Sequence, residues 1–395
     1  MEKIYNQINA AVMKNADEII KISHTIHDDP ELGNEEFHAC ETLCTYLEKE
    51  GFDVKRGVGG LKTAFTAAIK GKGDGPNIAV LAEYDALKDI GHACGHNMIA
   101  AIAAGTAASL KDTLAQYPGS ITVVGTPAEE TTGGKINLIE AGVFEGFDFA
   151  LEVHPTSGHH AIMRGGRACT TVYCDFTGVS AHSSKPASGV NAVTAVVETF
   201  HNIDVLRPLF DPMDNVNGVI PYGGGANNVI SGFATCEFCL RSDTLHNLKN
   251  LVEKVKLAAN CSASLLGAKV DIRVDPMFAE RYPNRPMGLR FKAHLEEMGE
   301  SVVEENPFGP YGSSDIGNVS LLMPSVHEYI SIADEDVNGH SAEMCAAAAS
   351  PRGDKALIMA CKALAMTIAD LLADENLRKE AKAFYDNQIP AVYKK

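Results

Sequence analysis

The sequence predicts an α/β protein: a layered α/β domain interrupted by a smaller α+β domain. Three observations carry this. Apolar strand-like segments alternate with helical ones through the first 160 or so residues, the rhythm of a layered sheet. Near Arg167 the texture changes to strands with period-two alternation, separated by long helical stretches. After Asn284–Pro286 the first pattern resumes and closes on the long amphipathic segment GDKALIMACKALAMTIADLLAD. The boundaries follow as 1–167 and 282–395 for the split domain and 168–281 for the insert. A chain of 395 residues holds two or three domains and buries a large core without disulfide or metal staples.

Each element has a local reason. Ala16–Ile26 and Glu36–Lys49 place apolar residues three and four apart, as helices do. IHDDPELGNEE between them is punctuated by Pro30 and Gly33 and reads as a loop. FTAAIKG, Asn77–Glu83, Gly119–Gly125 and Phe149–Val153 read as strands. Met98–Lys111, with Asn97 as its cap, and Lys135–Ala141 read as helices. In the insert, Cys169–Phe176, Phe233–Arg241 and Lys269–Val274 are strand-like, and Ala192–Leu206 and His246–Leu265 are helical. Val326–Ile332 is a last strand, followed by the polar loop DEDVNGHS.

Composition narrows the function. With 45% hydrophobic and 22% charged residues, wholesale disorder is excluded. A formal charge of −17 repels nucleic acid and anionic lipid, so neither is an expected partner. No apolar run reaches spanning length, the longest being Met98–Leu110, and the N-terminal segment MEKIYNQINAAVMKNADEII has no apolar signal-peptide core. Ten cysteines show no disulfide spacing, which together predicts a reducing, cytoplasmic setting. Cys236 and Cys239 form a lone C-x-x-C on an alternating strand. Residues three apart on a strand face opposite ways, so packing explains them better than a shared metal.

Four strand ends deliver metal-binding side chains. One is followed by HACGHN, with His92, Cys94 and His96 at two-residue steps. A second is followed by Glu129 and Glu130, a third by His154, and a fourth by the loop holding His340. Sites in open α/β sheets form at the carboxyl ends of strands, and Cys, His and carboxylates bind borderline divalent metals. Adjacent carboxylates diverge, so one can hold a metal while its neighbour serves as general base, the division metal-assisted hydrolysis needs. Each motif taken singly has other readings. The HACGHN loop also fits a buried Cys between satisfied histidines, or a metal-independent Cys94–His96 nucleophile pair. Glu129–Glu130 also fits plain solvated charge, and His154 and His340 also fit structural roles.

Seven motifs occur in one order: IHDDPELGNEE, EYDAL with GHACGHN, GTPAEETTGGK, GVSAHSSKPASGVNA, NNVI after a glycine run, GSSDIGNVS and GHS. Together they resemble the aminoacylase/carboxypeptidase family of co-catalytic metallopeptidases over nearly the whole chain. Within it they resemble the amidohydrolase subfamily of hippurate, auxin-conjugate and p-aminobenzoyl-glutamate hydrolases, closest to the last and to β-alanyl-lysine-type dipeptidases. The resemblance implies a zinc-peptidase-type α/β domain with an inserted dimerisation, or lid, domain. It implies two divalent ions in each protomer, with Cys94 bridging them and His96, Glu130, His154 and His340 holding them further. Glu129 would be the general base and Asp85 the acid supporting the ligands. His182 would act across a homodimer on the partner's site, stabilising the oxyanion, and Asn228 with Arg241 would hold a substrate carboxylate. His92 is not a ligand in the family.

The expected activity is hydrolysis of the amide bond of an N-acyl or aminobenzoyl amino acid or a dipeptide-like substrate. A dipeptidase or carboxypeptidase acting on short peptides is the neighbouring alternative, and a non-enzymatic binder on a retired scaffold a more distant one. Three departures bear on the site. Lys88 stands where many relatives have Pro and Asn97 where many have Asp, both expected at the pocket rim. A thiolate also replaces the peptidases' bridging carboxylate, which leaves zinc and manganese open as the metal, with cobalt or nickel behind them.

Overall fold

The computed structural model describes residues 1–394. The chain divides into two compact units, one of Met1–Gly166 with the chain from Arg281 onward, the other Arg167–Glu280.

In chain order the strands are β1 (Asp53–Arg56), β2 (Phe65–Lys70), β3 (Asn77–Ala82), β4 (Ser120–Gly125), β5 (Phe149–Ser157), β6 (His160–Ile162), β7 (Ala168–Thr177), β8 (Ala181–His182), β9 (Asn215–Tyr222), β10 (Val229–Ile230), β11 (Phe233–Ser242), β12 (Lys269–Val274), β13 (Val302–Glu304) and β14 (Ser325–Ala333). Among the described residues the first unit has an eight-stranded sheet, ordered β1-β2-β4-β3-β5-β14-β6-β13. Its centre is parallel: β3 pairs with β4 and β5, and β5 with β14. The carboxyl ends of these four strands therefore share one edge, where sheets of this kind place their sites.

Burial on both faces explains the sequence of these strands. Ile78–Ala82, Ile121–Gly125 and all of β14 are buried, and parallel strands covered on both faces read as continuous apolar runs. The helix His96–Ser109 is buried along its whole length. Its small residues admit close neighbours: a side chain on Gly105 would meet Ile19 Cδ1 at 2.7 Å. Helix Pro351–Ala373 packs beside it, with Cys361 Sγ donating to Ile102 O at 3.7 Å. That helix is long and apolar enough by composition to cross a membrane, a length the sequence reading did not find. However, 83% of its apolar window is buried inside the protein, as in a core helix.

Three expectations change. Helix Glu2–Lys14 precedes the first one foreseen, and it buries only Ile8 and Val12, too thin a stripe to stand out. The helix expected from Met98 starts at His96, with Gly95 rather than Asn97 as its cap. Asn97 is not at a rim either. Its buried amide donates to Ser23 Oγ at 2.9 Å and Ala348 O at 3.2 Å, tying three segments together.

The second unit is a four-stranded antiparallel sheet, β12-β7-β11-β9. Helices Ala192–Leu206 and Leu245–Leu266 pack on it through Ala195, Val196, Leu248, Val252 and Val255. Cys236 is buried opposite Cys174 and Cys239 is only half-buried, so this C-x-x-C does face two ways.

One buried acid makes stability testable. Both carboxyl oxygens of Glu328 in β14 are buried without a well-formed hydrogen bond among the described residues, and burial pushes its pKa up to about 8. A raised carboxyl pKa stabilises the folded state fully below the unfolded value, and that contribution is lost as pH rises through the folded one. Glu328→Gln should therefore flatten the decline in stability between roughly pH 5 and 8, a contribution on the order of 5 kcal/mol at most. Thermal unfolding of both proteins across that range checks it; parallel pH profiles would remove Glu328 from the account.

Candidate active site

The four parallel strand ends build one cluster in the first unit. Beyond β3 come Glu83 and Asp85, then the loop to Cys94 and His96. Beyond β4 comes Thr126–Glu130. His154 lies within β5, which runs on to Ser157 instead of ending before it. His340 follows β14 in a loop whose His340 N–H donates to Ala93 O at 3.2 Å.

The donor atoms converge. Cys94, His96 and His154 each place one ligating atom within 4.8 Å of the others, as do Cys94, Glu130 and His340, and again His96, Glu129 and Glu130. Cys94 Sγ is 3.4 Å from His154 Nε2, and Glu130 Oε1 is 3.3 Å from His340 Nε2 and 3.8 Å from His96 Nε2. Two of the imidazoles are oriented from behind. His154 Nδ1 donates to Pro155 O at 2.5 Å and His96 Nδ1 to Asp85 Oδ1 at 3.1 Å, so both turn Nε2 into the cluster. Asp85 Oδ2 also accepts the Glu130 N–H at 2.9 Å.

The set fits divalent cations. Glu83 Oε2, His96 Nε2 and Glu130 Oε1 are buried and have no well-formed hydrogen bond among the described residues, only approaches of 3.3–3.8 Å to one another and to His340. Unpaired buried polar atoms are costly, and cation coordination satisfies them. The electrostatics agree. Burial opposes ionisation of Glu130, yet the His340 bond and the His96 and His340 charges hold its pKa down at about 2. Burial, then the charges of Glu83, Glu130 and Asp315, push Glu129 well above the usual carboxylate range. Burial likewise pushes the Cys94 thiol up and takes His154 down to about 4. A thiol surrounded by several ligating groups and disfavoured as a free thiolate does not suit a metal-independent nucleophile.

Beneath the cluster lies a set of charges the sequence reading did not single out. Lys135 is fully buried and donates to Glu83 Oε1 and, at 2.7 Å, to Asp315 Oδ1, with Glu152 Oε2 at 4.0 Å. Glu83 Oε2 is 3.3 Å from His96 Nε2. His327 stacks on His154 with centroids 5.2 Å apart. Glu83 directly follows an apolar strand and opens EYDAL, which is a readable signal; nothing in the sequence marks Lys135 as buried. His92 is buried against His27 and belongs to none of the donor groups.

Three expected residues belong to the second unit. His182 pairs with Val229 between β8 and β10, and the Ser183 N–H donates to Asn228 O at 2.9 Å, so His182 and Asn228 are neighbours, both exposed. Ser184 N–H donates to His182 Nδ1 at 3.2 Å, which makes Nδ1 an acceptor and Nε2 the nitrogen that carries a proton. Arg241 pairs with Cys169, whereas Phe233, beside the His182 end, pairs with Thr177. Eight residue steps along the strand separate those ends, roughly 27 Å. Asn228 and Arg241 of one chain thus do not form a single carboxylate clasp.

A family model described as Peptidase family M20/M25/M40 matches residues 79–364. The chain belongs to this peptidase family. It is 34% identical over 387 residues to the Xaa-Arg dipeptidase of Mus musculus, covering 93% of this chain and 89% of that protein. It is 25% identical to one of the p-aminobenzoyl-glutamate hydrolase chains of Escherichia coli (strain K12), covering 97% and 95%. Its fold matches an aminobenzoyl-glutamate utilization protein from Klebsiella pneumoniae, with TM-score 0.76, 19% identity and coverage of 92% and 98%. It also matches a Bacillus subtilis protein described as a dinuclear metal binding peptidase from the M20 family, with TM-score 0.67, 20% identity and coverage of 91% and 99%. As a member of the M20 family the chain is a metal-dependent amidohydrolase or peptidase, a hydrolase acting on C–N bonds.

Asp85 offers a direct test. Asp85→Ala removes the partner of both His96 Nδ1 and the Glu130 amide. Zinc or manganese retention in chelator competition should fall on the order of 10–100-fold; retention equal to wild type would show that the ligands are oriented without it.

Proposed function

We propose that this enzyme hydrolyses the amide bond of a dipeptide-like or N-acyl amino acid substrate, and that Cys94, His96, Glu130, His154 and His340 would hold two divalent cations per protomer, Cys94 belonging to two of the donor groups. The observation that carries the reading is Glu129, a buried acid beside His96 and Glu130 in the donor cluster. Of the substrate classes, the dipeptide is favoured by the 34% identity to an Xaa-Arg dipeptidase, with aminobenzoyl amino acids next.

When bound, the cations supply Lewis acidity toward the scissile carbonyl and lower the pKa of water. Glu129 takes the proton of the attacking water and delivers it to the leaving amine. Asp85 keeps His96 and Glu130 aligned. His182 of a second protomer directs its Nε2–H at the developing oxyanion, and Arg241 and Asn228, contributed by different protomers, hold the substrate carboxylate. The dimer is supported by β9, an edge strand exposing Val219, Ile220 and Tyr222, and by exposed Val197 and Val205 on helix Ala192–Leu206; unpaired apolar edges of this kind call for a partner. Zinc suits the thiolate and imidazoles and manganese the carboxylates. A cytoplasmic setting accords with ten free cysteines.

Glu129→Gln should retain metal and lose turnover by ~10²–10⁴-fold, measured with a panel of Xaa-Arg dipeptides, N-acyl and aminobenzoyl amino acids on apo-protein resupplied with zinc, manganese or cobalt. Turnover at wild-type rate would take the base role from Glu129. Mixing inactive Glu129→Gln with inactive His182→Ala protomers should regain activity, since each mixed dimer contains one site with both groups intact. Persistent inactivity in verified mixed dimers would end the two-protomer reading.

A further inference from the structure

The segment Glu31–Glu36 takes no part in the chemistry above, yet it lies against both loops that supply it. Ala86 N–H donates to Glu31 O at 2.8 Å and Leu32 bridges to Ala86, tying one end beside Asp85. Asn34 Nδ2 donates to Thr132 Oγ1 at 3.0 Å. A side chain on Gly33 would collide with Thr131 Oγ1 and meet Ala128 Cα at 3.0 Å, so the segment presses on the loop around Glu129 and Glu130.

Glu36 completes the contact. It is fully buried, Oε1 accepts the Ala128 N–H at 2.7 Å, and Oε2 accepts from Thr63 Oγ1 at 2.9 Å. Ala128 has φ of 61°, the left-handed region that disfavours a residue with a Cβ. The Glu36 bond and the Gly133 N–H donating to Ala128 O at 2.9 Å hold it there. That turn decides where the next two side chains go.

We propose that Glu36 is a positioning residue for the hydrolysis: its bond to the Ala128 amide locks the turn that aims Glu129 and Glu130 into the cluster, and Glu31–Glu36 straps that turn to the Asp85 loop. This rests on the roles proposed for Glu129 and Glu130.

Two variants test it. Glu36→Met keeps most of the volume and accepts neither bond. Glu36→Gln keeps a carbonyl oxygen for Ala128, and the Thr63 hydroxyl can rotate to accept from the amide. Glu36→Met should lower kcat on the order of 10–100-fold, with KM little changed, and weaken zinc retention in chelator competition by a similar factor. Glu36→Gln should restore both. Hydrogen exchange at the Ala128 amide should be slow in the wild-type holoenzyme and in the Gln variant, and fast in the Met variant. Exchange and metal retention need no turnover, so they separate failure of Glu36 from failure of the Glu129 assignment. Wild-type kcat and zinc retention in the Met variant would overturn the proposal, as would a Gln variant as impaired as Met or fast Ala128 exchange in the wild type. Should the Met variant not fold, the wild-type exchange rate and the Gln variant decide.

Discussion

Asp85 joins the two halves of the donor cluster. One oxygen accepts from the His96 imidazole and the other from the Glu130 amide, so a single carboxylate sets a ring orientation and a loop backbone together. The bonds exist because β3 and β4 are parallel and in register, with Ala82 opposite Gly125. Their carboxyl ends run out side by side, and residues a few positions beyond each are brought within reach. The shift of one strand by a single residue would turn every side chain over and separate Asp85 from both partners. The apolar runs that fix the register are therefore part of the site's construction.

The second constraint is charge. Asp85, Glu83, Glu129, Glu152 and Asp315 are buried within this region, and one buried ammonium, Lys135, stands among them. Buried acids persist when paired. Burial opposes a charged Lys135, but Asp315, Glu83 and Glu152 hold its pKa well above the ordinary lysine value. Burial also opposes an ionised Glu83, and the Lys135 charge leads the effects that lower it. Glu152, farther from the ammonium, is pushed up by burial and by Glu83. The acids outnumber the lysine, and divalent cations held at the donor cluster would add the positive charge that lets more of them ionise.

The ligand types were legible because chemistry restricts them: Cys, His and Glu at strand ends stand out against apolar strands. The supporting charges were not, because burial leaves no mark on a lysine in sequence and its partner Asp315 is 180 positions away. Strand and helix interiors were readable from periodicity, down to the bounds of Ala192–Leu206 and Lys269–Val274. Short pieces such as β6 and β13 carry too few residues for a period. Asn97 has the chemistry of a cap, but Gly95, with φ of 82° and packed on the Pro155 ring, takes that place. The amide is then left to bind Ser23 and Ala348, contacts no local pattern announces.

Glu129 and Glu130 show how far environment, rather than sequence, separates two identical groups. In sequence they are interchangeable. In space, Glu130 Oε1 faces His340 and His96 and its amide is held by Asp85, so the ionised form is favoured. Glu129 shares its surroundings with Glu83 and Asp315, which favour the protonated form along with burial. Paired acids pushed in opposite directions divide into a fixed anion and a proton carrier. A cation at the cluster would strengthen the first tendency in Glu130 and ease the repulsion on Glu129, letting it release its proton and take another. The division thus originates in backbone direction: the left-handed turn at Ala128 sends one carboxylate toward the imidazoles and the other toward the acids over Lys135.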